Sequence, residues 1–177
     1  MGVERFFSSL YKNNKTNFFT DLTFPYINNK LINSFQKNSI NLYIDMNSII
    51  HNQSSILLKQ KLYQNDETFE TALIKRIDNY LQHLSNITKA SFIYIAIDGV
   101  PSLAKINEQK NRRNIAKIVE MLINKFDPHS KPYSWSKDNI SPYSSFMNKM
   151  VTYLKKNKKY TISSHLEEGE GEMKIIK

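Results

Sequence analysis

Residues 92–113 read Phe92-Ile-Tyr-Ile-Ala-Ile-Asp98-Gly99-Val-Pro-Ser-Leu-Ala-Lys105-Ile-Asn-Glu-Gln109-Lys-Asn-Arg112-Arg113. An acidic residue thus ends an apolar run, and a helix-forming segment follows it. Offsets of four, seven and eight residues put Lys105, Gln109, Arg112 and Arg113 on one side of an α-helix. A carboxylate at a strand end can hold a metal ion, and cations a turn or two away can hold a phosphate. Together they point to chemistry on a phosphodiester. Asp45, ending Leu42-Tyr-Ile-Asp45, and the pair Glu170/Glu172 point the same way.

In an open parallel sheet, function collects at the carboxyl ends of the strands, so all three acidic sites can converge on one edge. Four carboxylates packed together repel, and burying them unpaired is costly. Hard divalent cations relieve this, Mg²⁺ or Mn²⁺ most naturally. Two such ions about 4 Å apart can activate a water and stabilise the leaving oxygen of a phosphodiester. A single Asp after a strand is ordinarily a helix cap or turn residue. Three acidic strand exits plus a basic helix outweigh that reading. In Glu167-Glu-Gly-Glu-Gly-Glu172, the alternation with glycine lets backbone and metal approach closely, whereas Glu167 and Glu168 read as solvent charges.

The basic run competes with an ordinary solvated helix face, and its position just after Asp98 favours phosphate binding. Arg grips phosphate bidentately, while Lys and Gln add point charge and hydrogen bonds. Asn47 can bond a metal ligand or a substrate, or cap the next helix. His51 can stack on a base or be a satisfied surface histidine. His83, His129, His165 and Trp135 carry no pattern and read as structural.

The elements that must position these residues alternate. Residues 3–12 read as a short amphipathic helix and 13–38 as irregular or weakly helical. Residues 41–45 read as a buried strand, and 47–51 begin a turn or helix. Asn65-Asp-Glu67 offers caps for a helix carrying Phe69, Leu73, Ile77, Leu81 and Leu84. Phe92–Ile97 is a second buried strand, followed by a helix over 102–125 and a proline-punctuated loop over 127–140. Ser141-Pro142 reads as a helix start, and Lys155–Lys159 as its basic end. Tyr160–Ser163 is a third strand, and 169–177 opens another helix. Strands alternating with helices imply an α/β fold with a parallel sheet flanked by helices.

Composition bounds the class. The 177 residues suffice for one α/β domain with a core; 40% are hydrophobic and 23% charged, as in a globular protein. The net charge of +9 favours a polyanion, nucleic acid before membrane, although abundant Lys and Asn weaken that inference. With no cysteine, disulfides and thiolate metal sites are excluded. No apolar run approaches a membrane span, the N-terminus lacks a signal-peptide core, and Phe6 breaks a myristoylation signal. The expected location is intracellular, cytoplasmic or nuclear. Glycine occurs four times, at Gly2, Gly99, Gly169 and Gly171, and three of these sit beside an acidic candidate.

At these residues a family resemblance emerges. The segments Met1-Gly-Val-Glu-Arg-Phe-Phe7, Leu42-Tyr-Ile-Asp-Met-Asn-Ser-Ile-Ile-His-Asn52, Tyr94-Ile-Ala-Ile-Asp-Gly-Val-Pro101, Ala104-Lys-Ile-Asn-Glu-Gln-Lys-Asn-Arg-Arg113, Ile140-Ser-Pro with Phe146-Met, and Gly169-Glu-Gly-Glu-Met-Lys-Ile-Ile176 follow one another in a family's order. The chain resembles the N-terminal part of an XRN-type 5′→3′ exoribonuclease, within the PIN/flap-nuclease-like group. The resemblance implies that Asp45, Asp98, Glu170 and Glu172 belong to a divalent-metal site, catalytic with Mg²⁺ or Mn²⁺. It implies that Lys105, Gln109, Arg112 and Arg113 form a pocket for a 5′-monophosphate, and that His51 stacks on the terminal base. The implied substrate is single-stranded RNA with a 5′-monophosphate, degraded stepwise to mononucleotides.

The sequence departs from the family beside these positions: Glu167-Glu168 stands for Val-Pro, Met173 for His, Tyr143 for a glycine, and Trp135 near a usual Phe. These departures bear on rate and loop shape more than on fold. Family enzymes continue past this length, and their further metal-binding aspartates lie downstream. Residues 1–177 therefore read as one nuclease domain that is incomplete as a catalytic unit, to be completed by a second chain or a C-terminal segment. The alternatives are a non-catalytic module that binds RNA 5′-phosphates and a PIN-like or flap-type DNA nuclease. The Gly-Glu-Gly-Glu and Gln-x-x-Arg-Arg patterns weigh against the DNA nuclease.

Overall fold

Strands and helices alternate as β1 (Asn41–Asp45), α1 (Met46–Lys59), α2 (Asp66–Thr88), β2 (Phe92–Ala96), α3 (Leu103–Phe126), α4 (Ser145–Leu154), β3 (Tyr160–Ser163) and α5 (Gly171–Ile176). A 3-10 turn spans Lys137–Asn139. The computed structural model describes residues 40–60, 62–101, 103–126 and 135–176. The expectations for residues 3–12, 13–38 and 127–134, with His129, lie outside the described residues.

The three strands form a parallel sheet in the order β1-β2-β3, so the α/β class and the parallel sheet hold. Tyr43 faces Tyr94 and Ile44 faces Ile95 across β1 and β2, while Ile95 faces Ile162 across β2 and β3. This register brings the exits of β1 and β2 to the same edge. Because side chains alternate along a strand, Leu42, Ile44, Ile93 and Ile95 share one face. Ile44, Ile93 and Ile95 join a core with Ile50 and Leu57 of α1, Phe69, Leu73, Ile77 and Leu81 of α2, and Phe146, Met150 and Leu154 of α4. The opposite face carries Tyr43, whose ring lies 6.2 Å from that of Phe92 and 6.0 Å from that of Tyr94.

β1 differs from the fully buried strand expected. Among the described residues it is an outer strand of the sheet, with Asn41 and Tyr43 exposed and Ile44 alone of its residues buried. β2, between two neighbours, is the buried one. Its ladder runs one residue past its end, since the Ile97 amide donates to the Ser163 carbonyl at 3.0 Å.

Capping decides the helix starts. Asn65 caps α2 by accepting from the Thr68 amide at 3.0 Å, and Asp66 and Glu67 fill its first turn. The expected start of α4 at Ser141-Pro142 is displaced to Ser145. Tyr143 takes a left-handed backbone, φ 66°, which a helix cannot continue through. Ser144 is instead extended and its hydroxyl accepts from the Met147 amide at 3.2 Å. Helix α3 follows its expected span, and Ile115, Ile118, Val119, Leu122 and Phe126 are exposed along it at helical spacing.

Trp135 is 2% exposed, with ring centres 5.1 Å from Phe69 and 5.0 Å from Phe146. Its indole N–H donates to the buried Glu70 carboxylate at 3.4 Å, whose other oxygen accepts from Lys149 at 2.9 Å. That hydrogen bond raises the Lys149 pKa and gives the buried charge a partner. At the far end of the sheet, the Tyr160 hydroxyl donates to Asp78 at 3.3 Å. Burial first, then the Asp78 charge, pushes the Tyr160 phenol up to about 12.

Replacing Trp135 with Ala opens a cavity against Phe69 and Phe146 and leaves Glu70 one donor short. We expect a loss of about 3–5 kcal/mol in urea unfolding of the full chain. Tyr160 holds its proton more tightly folded than unfolded, so its contribution is intact below pH 10 and fades as pH rises towards 12. Tyr160→Phe is expected to flatten the fall of stability over that window relative to the parent chain. Parallel stability–pH curves for the two would contradict this.

Candidate active site

Asp45 closes β1 and at once caps α1, its Oδ1 accepting from the Asn47 amide at 3.2 Å. Asp98 stands two residues beyond β2. The two carboxylates are tied through Asn47, whose Nδ2 donates to Asp98 Oδ2 at 2.8 Å while its Oδ1 faces the Asp98 amide at 3.4 Å. Asn47 thus bonds another candidate ligand, and the capping of α1 falls to Asp45.

The third acidic site arrives on α5. The Gly171 amide donates to Asp98 Oδ1 at 2.6 Å. A methyl group on Gly171 would lie 3.0 Å from Asp45 Oδ1 and 3.2 Å from Asp98 Oδ1, so glycine here lets both carboxylates face one small space. Glu170 and Glu172 flank this buried glycine. Burial raises the Asp45 pKa most; Asp98, Glu172 and Glu170 push it up further against the lowering Asn47 bond. Asp98, Glu172 and Glu170 thus lie near enough to Asp45 for their charges to act on it. Among the described residues, however, no three His, Cys, Asp or Glu side chains come together as a metal-holding group. Asp45 and Asp98 share the space; Glu172 is exposed and Glu170 half-exposed.

The donor set nonetheless fits a hard cation in chemistry. It consists of carboxylate oxygens that repel one another around a space left by a missing side chain. Each Asp98 oxygen already accepts one N–H bond and retains a further lone pair.

The loop that delivers α5 is fastened to the β2 exit. Gly99 donates to the Gly169 carbonyl at 2.9 Å, and Gly169 returns a bond to the Val100 carbonyl at 3.3 Å. Any side chain on Gly99 would strike the Glu167 carbonyl, so the loop requires glycine there. Glu167 is exposed but is not merely a solvent charge. It accepts from the Ser163 hydroxyl at 2.6 Å and the Ser164 amide at 3.0 Å, and the Ser163 bond most strongly holds its carboxyl below the usual range.

Lys174 is the residue that the sequence reading missed. Its ammonium donates to the Ile97 and Ser164 carbonyls, each at 2.8 Å, clamping α5 across the ends of β2 and β3. Burial lowers its pKa, while the Glu167 and Asp98 charges oppose that fall. The signal was a lysine one turn after Gly171, on the helix that carries Glu172. Its acceptors are main-chain carbonyls, which leave no trace in side-chain spacing.

His51 lies one turn beyond Asn47 on α1, at the i,i+4 spacing that places it on the same helix face, and it is exposed. Its carbonyl accepts from the Ser54 and Ser55 hydroxyls. Lys105, Gln109, Arg112 and Arg113 belong to the backbone of α3, which starts shortly after Asp98; their side chains lie outside the described residues. His165 and Trp135 are buried, in keeping with structural roles.

The profile of the XRN 5′-3′ exonuclease N-terminus matches residues 1–177. The chain is 32% identical over 160 residues to 5′-3′ exoribonuclease 1 of Saccharomyces cerevisiae, a match covering 77% of this chain and 10% of that protein. It is 31% identical over 160 residues to 5′-3′ exoribonuclease 1 of Homo sapiens, covering 77% of this chain and 9% of the human protein. It is 28% identical over 166 residues to 5′-3′ exoribonuclease 2 of Kluyveromyces lactis, covering 77% and 16%. The aligned region thus spans between 9% and 16% of these relatives' length.

The clamp gives a direct expectation. Lys174→Met keeps the apolar stem but strands two carbonyls, and should cost about 2–4 kcal/mol of unfolding free energy. It should also speed hydrogen exchange at the Gly171 amide. A loss below about 0.5 kcal/mol would show that α5 does not depend on it.

Proposed function

The chain belongs to the XRN 5′-3′ exonuclease N-terminal family, and from that premise we propose that it supplies the catalytic edge of a 5′→3′ exoribonuclease. The proposed substrate is single-stranded RNA bearing a 5′-monophosphate. The observation that carries the reading is the shared space at Gly171, faced by Asp45 and Asp98 with Glu170 and Glu172 alongside.

In this proposal Asp45, Asp98, Glu170 and Glu172 hold Mg²⁺ or Mn²⁺. Such an ion supplies Lewis-acid polarisation of the scissile phosphate and a water of lowered pKa. The chain's own groups do the rest. Asn47 and the Gly171 amide orient Asp98 so that its remaining lone pairs face the space. The positive charge of Lys174 lies close enough to Asp98 to offset part of the carboxylate repulsion. Lys105, Gln109, Arg112 and Arg113 bind the 5′-phosphate from α3, and His51 stacks on the first base. Residues 1–177 act as one nuclease domain, and a further segment or second chain contributes more acidic ligands.

A second reading has one observation in its favour: no three acidic side chains gather as a metal-holding group among the described residues. On that reading the domain binds 5′-phosphorylated RNA without cleaving it.

Turnover separates the two. Purified chain is incubated with 5′-monophosphate, 5′-hydroxyl and capped single-stranded RNA, with Mg²⁺ or with chelator. The nuclease reading expects mononucleotide release from the 5′-monophosphate RNA alone, abolished by chelator and by Asp98→Asn. It also expects Asn47→Ala to weaken Mn²⁺ binding about 10- to 100-fold. Phosphate-selective binding without release would establish the second reading. Equal affinity for 5′-phosphate and 5′-hydroxyl ends, with no release, would remove both.

A further inference from the structure

Helices α2 and α4 border an open groove of about 790 Å³. Three lysines line it: Lys75 on α2, Lys149 on α4 and Lys156 just after α4. No aspartate or glutamate lines it. Lys149 is paired with Glu70, so the charge facing the groove comes chiefly from Lys75 and Lys156, both exposed.

Two aromatic rings stand with them, Tyr143 and Tyr153. Tyr143 is 58% exposed and sits on left-handed backbone, φ 66°. A bulky side chain is strained there, and its ring stands edge-on to that of His165 at 6.4 Å while staying largely open to solvent. The Lys156 ammonium lies 5.7 Å from the Tyr153 ring centre, a cation–π pairing that places charge beside an aromatic face. An exposed aromatic ring beside lysines is what single-stranded nucleic acid needs: the Tyr143 ring can take a base and the ammonium groups take phosphates. An acidic protein segment would use the lysines but leave the ring faces idle.

The groove also adjoins the loop that carries the acidic pair. Asn148, in its wall, contacts the His165 ring at 3.2 Å, and His165 lies between β3 and Glu170. We propose that this groove is a second RNA-binding site, with a base on the exposed Tyr143 ring and phosphates on Lys75 and Lys156. It would hold the body of the strand whose 5′ end the carboxylate edge engages. The choice of RNA as the nucleic acid rests on the proposed nuclease function; the groove itself is separate from that site.

The test is equilibrium binding of a fluorescent 20-nucleotide 5′-hydroxyl RNA to the full chain across a salt series, which bypasses recognition of a 5′-phosphate. Two variants are compared. Tyr143→Gly removes the ring and relieves the left-handed backbone, so it is expected to fold at least as well as the parent. Lys75→Ala/Lys156→Ala removes two phosphate contacts. We expect Tyr143→Gly to weaken binding about tenfold. The double variant should reduce the slope of log affinity against log salt by about 1.4. Unchanged affinity and slope in both variants, with thermal unfolding intact, would overturn the groove. Poly-glutamate binding as tightly as RNA, with no loss in Tyr143→Gly, would overturn it in favour of an acidic protein partner. A chain that binds RNA through the groove but releases no nucleotides would leave this inference standing and overturn the nuclease reading alone.

Discussion

Two carboxylates that repel each other are kept side by side at the end of a parallel sheet, and the surrounding structure answers that constraint. Asp45 and Asp98 leave neighbouring strands, and each would be stabilised by moving away from the other. They stay because N–H donors converge on them: the Asn47 amide on Asp45, and the Asn47 side chain and Gly171 amide on Asp98. The Gly171 bond brings α5 so close that a methyl group at its first residue would crowd both carboxylates, at 3.0 and 3.2 Å. Such closeness requires a loop fastened by Gly99, Gly169 and Glu167, and a clamp from Lys174 to two strand-end carbonyls. Burial first, and then the charges of Asp98, Glu172 and Glu170, keeps the Asp45 pKa raised.

The rest of the domain makes that edge rigid. The α1 helix starts on Asp45 itself, so any tilt of α1 moves the carboxylate. Its inner residues Ile50 and Leu57 lie in the same core as Phe69, Leu73 and Ile77 of α2. The buried Gln53 side chain accepts from Arg76 of α2 at 2.7 Å, which keeps its amide oxygen from being stranded. Trp135 and Phe146 complete the packing. A family of RNA-degrading enzymes thus has, in this chain, an edge whose precision derives from ordinary capping, packing and backbone bonds.

Much of this was legible because strand ends announce themselves. An apolar run closed by an acid marked Asp45 and Asp98, and β3 and α2 fell where alternation and helical spacing put them. Sparse glycine marked the close approaches at Gly99 and Gly171. Other features were hidden for physical reasons. Ser141-Pro142 has the chemistry of a helix start, yet Tyr143 turns left-handed and Ser144 takes over the cap. β1 has the composition of a buried strand, but strand order, which spacing does not encode, made it an outer one. Glu167 looked like a solvent charge because its partners, a hydroxyl and an amide, are found only once the loop closes. Lys174 and the role of Asn47 depended on contacts between elements far apart in sequence.

On the proposed function, Gly171 opens the space in which Asp45 and Asp98 act together as ligands for a divalent cation. The most direct test is the thermal unfolding midpoint of the full chain and of Gly171→Ala, each titrated with Mn²⁺. A cation that binds only the folded state raises the midpoint in proportion to its affinity. The account predicts a saturable rise for the parent chain and little or none for Gly171→Ala, whose added methyl occupies the space. An equal rise in both, or none in the parent chain, would contradict it.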